Sequence, residues 1–100
     1  MAYDTGSLDA TLAAAAGNHP AMLRELRAAF IESVARQIDL LERSRCDGNW
    51  QIAALRLKGL AASFHAEGLI PLAENALTAA PGEPTAVRAL KAYLEEFSRP

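Results

Sequence analysis

The stretch PAMLRELRAAFIESVARQIDLL, residues 20–41, decides the fold. Leu23, Leu26, Phe30, Val34, Ile38 and Leu41 recur in it at steps of three and four, with Arg and Glu on the other side. That spacing gathers the apolar side chains on one stripe of a long amphipathic helix. Pro20 suits the first helical position, because its φ is already helical and its missing N–H would have no partner there. Asn18-His19 before it reads as a turn, and Cys46-Asp47-Gly48-Asn49 as the stop.

The chain on either side follows the same grammar. Upstream, Ser7 is an N-cap type that opens a short helix over about residues 8–16, through Leu8, Leu12 and four alanines, closed by Gly17. Downstream, Trp50, Ala53, Leu57, Leu60, Ala61 and Phe64 form a third stripe over about residues 50–64. Gly68 marks a break near Ala66, after which Leu69, Leu72, Ala73, Ala76 and Leu77 form a fourth. Ala80-Pro81-Gly82-Glu83-Pro84 is the clearest loop, and Pro84 opens a last helix with Val87, Leu90, Leu94 and Phe97. No alternating strand pattern of useful length, repeat or linker is present. Connections this short make consecutive helices antiparallel neighbours. The sequence therefore predicts an all-α fold: an up-down four-helix bundle over about residues 20–97 with a short extra N-terminal helix, one domain over 1–100. Phe30, Leu57, Phe64 and Leu94 are predicted among its most buried residues.

Composition agrees and excludes several functions. Apolar residues make up 51% of the chain, enough for a core without staples. Ten Lys+Arg against twelve Asp+Glu leave a net charge of −2, which gives no reason to hold a phosphate backbone, so no nucleic acid is expected. Cys46 is the only cysteine, so no internal disulfide can form and a four-ligand Cys/His zinc site lacks ligands. No metal or cofactor is predicted. Met1-Ala2-Tyr3-Asp4 shows no basic region before an apolar stretch, and no apolar run approaches a membrane span. The expectation is a soluble, cytoplasmic protein.

One face is not explained by a core. At about 100° per residue, Ile52, Leu55, Gly59 and Ala62 fall opposite the core stripe of the third helix. Gln51 and Lys58 flank this strip on one edge, Arg56 and Ser63 on the other. Gly59 in mid-helix costs roughly 1 kcal/mol relative to alanine. A small, apolar, charge-rimmed strip on a face that should be wet is either a docking surface or a tolerated blemish, since single exposed leucines are ordinary.

Here the chain resembles a known family. Leu55-Arg56-Leu57-Lys58-Gly59-Leu60-Ala61-Ala62-Ser63-Phe64-His65-Ala66, followed by Leu69 and Leu72, is similar to the signature of histidine-containing phosphotransfer (Hpt) domains: His-x-Leu-Lys-Gly-[Ser/Ala]-[Ser/Ala], then a hydrophobic residue and Gly-Ala. The resemblance spans about residues 20–97, with some dozen distinctive positions. It implies a four-helix bundle of a bacterial two-component phosphorelay whose partners are response-regulator receivers and histidine kinases. Two departures matter. The family's phosphoacceptor histidine corresponds to Leu55, whose aliphatic side chain has no nucleophilic nitrogen. The family's glycine before the final alanine, there for close packing, corresponds to His65. Lys58, which the family sets beside the phosphohistidine, and Gly59, which admits the receiver, are both present.

The leading expectation is thus a degenerate Hpt-like protein that binds a receiver or kinase without relaying phosphate, no enzyme, using Gln51, Ile52, Leu55, Arg56, Lys58, Gly59 and Ala62. One rival is active phosphotransfer through His65 or His19, which acid-labile phosphate would reveal. Another is a dimerising helical scaffold joined through the Leu55 strip, which solution mass would reveal. Glu42, Asp47, Glu95 and Glu96 show no catalytic or metal spacing with a histidine, no glycine-rich phosphate loop occurs, and Cys46 has no base beside it.

Overall fold

Three of the five described helices carry a proline at their first or second position, and those prolines mark where the chain turns. The computed structural model describes residues 5–99; residues 1–4, on which the reading of the N-terminus rests, lie outside them. Among the described residues there are five helices and no strand: α1 (Gly6–Ala16), α2 (Pro20–Glu42), α3 (Asp47–Ser63), α4 (Ile70–Thr78) and α5 (Pro84–Ser98). α2 packs on α3, α3 on α4, α4 on α5 and α5 back on α2, while α1 lies along α2. No close approach crosses either diagonal, so α2–α5 close a ring around one core. No described helix is long and apolar enough to cross a membrane.

The ring is lined as the stripes require. Phe30, Val34, Ile38 and Leu41 of α2 are buried, as are Trp50, Ala53, Ala54, Leu57 and Ala61 of α3. α4 contributes Ala73 and Ala76, and α5 contributes Ala86, Val87, Leu90, Tyr93 and Phe97. The small residues let α3 and α4 approach closely, and Trp50 Nε1–H donates to the Ala76 carbonyl at 2.8 Å. That bond satisfies an indole donor that burial would otherwise penalise. Phe30 meets Phe64 with centroids 5.1 Å apart and Phe97 at 5.6 Å, edge to face. The Arg27 guanidinium lies 4.0 Å from the Phe97 ring centre and donates to the Phe97 carbonyl. Glu83 caps α5: its carboxylate accepts from the Thr85 N–H at 2.9 Å. That backbone bond, followed by the Thr85 hydroxyl, holds the carboxyl below its ordinary range.

Several expectations need correction. α1 starts at Gly6, with Thr5 rather than Ser7 outside its first turn. α2 ends at Glu42, and Asp47-Gly48-Asn49 is the first turn of α3 rather than the stop. Asp47 is well placed there because the unpaired N–H groups of a helix start favour an acid. α3 ends at Ser63, and α4 begins at Ile70 rather than Leu69, which is buried in the turn before it. Phe64 and Leu94 are only half-buried. Phe64 lies just past the last turn of α3, and the buried arc of α5 is centred toward Ala86 and Tyr93, which leaves Leu94 at its margin.

Candidate functional site

α3 packs against α2 on one flank and α4 on the other, so the side away from its core stripe faces solvent. Gln51, Ile52, Leu55, Arg56, Lys58, Gly59 and Ala62 are all exposed. Ile52 keeps 48% and Leu55 55% of its surface in water. A Cβ built on Gly59 meets nothing within 4 Å, so no internal contact demands a glycine there. The fold leaves this face bare and places the predicted residues on it together.

The two edges of the strip differ electrostatically. On the α4 side, Lys58 Nζ lies 3.5 Å from a Glu74 carboxylate oxygen. A surface pair of this kind is worth little to stability, but it partly answers the lysine's charge. On the α2 side, Arg56 forms no ion pair or hydrogen bond with any described residue. It stands over a groove whose other wall is α2, where Ser33, Arg36 and Gln37 face it. Leu40, exposed at 37%, continues the groove opposite Ile52. Sequence reasoning missed Arg36, Gln37 and Leu40, since nothing in the local pattern of α2 says which neighbour covers its outer edge. Gln37 Oε1 is buried without a hydrogen-bond partner, an unsatisfied acceptor that costs about 1–3 kcal/mol.

His65 lies on the turn after α3, exposed, with φ at 56°, the left-handed region. Ala66 N–H donates to the Ala61 carbonyl at 2.8 Å and His65 N–H to that of Ala62 at 3.3 Å, which satisfies the last carbonyls of the helix. This position ordinarily belongs to glycine for its backbone freedom. The helix is not continuous to His65, so His65 belongs to the turn and not to the strip. His19 is the residue before α2, extended and exposed, with no side-chain capping bond. Cys46 occupies the same place before α3 and is exposed. No three His, Cys, Asp or Glu among the described residues come together as ligands.

In comparisons with family models, curated proteins and solved structures, none matches the chain.

Proposed function

We propose that the chain is a degenerate Hpt-like module of a two-component phosphorelay, with α2–α5 as an up-down bundle and α1 as an added helix, which docks a receiver domain or histidine kinase in the cytoplasm and relays no phosphate. Leu55 carries this assignment. It stands where the resembled signature has its phosphoacceptor, 55% exposed at the centre of a bare apolar strip. A leucine there cannot attack a phosphoryl group, yet it can bury itself against a partner. Full burial of a leucine contributes about 1.5–3 kcal/mol; scaled to the 55% still exposed, the gain on docking is about 0.8–1.7 kcal/mol, or about 4- to 17-fold in affinity. Gly59 and Ala62 beside it let a partner backbone come close. The module would hold a receiver as an adaptor, decoy or regulator.

The test pairs binding with chemistry. Receiver and kinase domains of the same genome are screened for binding, and Leu55→Glu should weaken any partner at least as much as the burial figure while leaving the urea midpoint unchanged. Phosphorylated receivers should leave no acid-labile label on the wild-type protein. Label that disappears with His65→Ala or His19→Ala would establish the active-transfer alternative instead. A dimer that Leu55→Glu dissociates, with no partner bound, would establish the scaffold.

A further inference from the structure

We infer that the α2–α3 groove, with Arg36 and Arg56 as its cationic determinants, receives an acidic amphipathic helix from a different protein. This deepens the docking reading and rests on it, and it moves the electrostatic contact from Lys58, on the α4 edge, to the α2 edge of the strip.

Three observations converge. First, of the four large apolar side chains that remain exposed, Leu40 and Ile52 line the groove and Leu55 follows Ile52 one turn on along the outer face of α3; Met22 lies about five turns from Leu40 along α2. Second, no acid is in the groove's lining, and two of its three arginines lack a carboxylate; the third, Arg43, is held by Asp39 at 2.9 Å. Arg27, Arg43, Lys58, Lys91 and Arg99 each lie within ion-pair distance of a carboxylate, whereas Arg36 and Arg56, like Arg24, Arg45 and Arg88 elsewhere on the surface, form no ion pair among the described residues. No Asp or Glu lines either depression along the groove. A locally positive groove with no acid in its lining, on a chain of net charge −2, is complementary to an acidic partner. Third, the buried, unpartnered Gln37 Oε1 belongs to a side chain that lines the same depression. With the oxygen turned inward, the NH2 of the same amide is the group available to a carboxylate on the groove side.

The groove's shape selects the occupant. Arg56 divides it into two successive depressions, one with Ala53 on its floor and one with Leu60. These residues are seven apart on α3, about 10 Å at the helical rise, which matches apolar side chains at i and i+7 of a facing helix. Carboxylates between those anchors would reach Arg56 and Arg36. No strand edge among the described residues offers backbone groups to an extended peptide. A second copy of this face fits poorly, since a two-fold contact would bring Arg36 and Arg56 against their own counterparts, and the acid at the groove's edge, Asp39, is already taken by Arg43.

The experiment uses the full chain and a defined probe. A fluorescent helical peptide of about four turns carries two leucines seven residues apart with glutamates around them; a matched peptide carries lysines in place of the glutamates. The glutamate peptide should bind, and the lysine peptide should bind at least about tenfold more weakly. Arg36→Glu with Arg56→Glu should weaken the glutamate peptide at least about tenfold and flatten its salt dependence, whereas Lys58→Glu should change it less than about threefold. Both charge reversals lie on exposed positions, and helical circular dichroism verifies the fold. Equal binding of both peptides, no binding of either, or a loss with Lys58→Glu as large as with the arginine pair would overturn the inference. A receiver that needs Leu55 but ignores Arg36 and Arg56 would overturn the groove while sparing the docking reading. Binding of the glutamate peptide with no receiver or kinase bound would support the groove and sink the phosphorelay reading.

Discussion

Replacing Gly59 by alanine tests the geometry on which the site depends. Gly59 lies inside α3, four residues before its end, and a Cβ there meets nothing within 4 Å. With no steric cost, the substitution leaves only the difference in helix propensity, about 0.8–1.0 kcal/mol in favour of alanine. For a domain of this length such a gain raises the melting temperature by about 4–8 °C. In urea, with a slope of about 1–3 kcal/mol per molar, the midpoint should rise by about 0.3–1 M at unchanged slope. Equilibrium denaturation followed by Trp50 fluorescence is a suitable assay, since that indole is buried and hydrogen-bonded between α3 and α4. The larger Gly59→Gln should also be at least as stable as wild type, yet should weaken any partner seated on the strip by blocking close approach. The two effects carry opposite signs. A lower midpoint for Gly59→Ala would mean that this face is packed, and the orientation of α3 argued above would be wrong.

Other perturbations address the turn, the cap and the core. His65→Gly should raise stability by about 0.5–1 kcal/mol, because relief of a left-handed residue, about 1–2 kcal/mol, exceeds the entropic cost of glycine; a lower urea midpoint would show that the imidazole itself holds the turn. For Glu83, the folded-state pKa lies below the ordinary 4.5, so its contribution is complete above that value and is lost as pH falls through the lower one. Urea midpoints of wild type and Glu83→Gln should therefore differ near neutrality and converge in acid, and a pH-independent gap would refute the cap's charge dependence. Phe30→Ala should cost about 3–5 kcal/mol, since Phe30 is 2% exposed and contacts two aromatic rings. Phe64→Ala, at a half-buried position just past α3, should cost clearly less, and the reverse order in denaturant midpoints would contradict this placement.

Much of the helix plan was legible because its signals are local. The apolar steps of α2 and the prolines at 20 and 84 mark helix faces and starts without reference to any other part of the chain. The bare face of α3 was equally legible, since the side opposite a buried stripe is fixed by the helical period alone. Boundaries were less so. Asp47-Gly48-Asn49 has the composition of a loop, yet an acid and small polar residues also suit a first helical turn, and only the packing of Trp50 beneath α4 makes the chain helical from Asp47.

What the sequence by itself determined is the set of apolar stripes, the breaks between them and the outward strip of Ile52, Leu55, Gly59 and Ala62. Each depends on residues within one helix. Only the tertiary structure decided that α2 supplies the neighbouring wall, that Leu40 joins the exposed apolar surface, that Arg36 and Arg56 share a groove with no acid in its lining, and that Lys58 faces Glu74. Those relations join residues twelve to twenty positions apart, across helices whose flanks meet only in the packed bundle. Which outer edge stays uncovered depends on that packing, because the helical period gives each residue's angle on its own helix but not the position of the next helix around it.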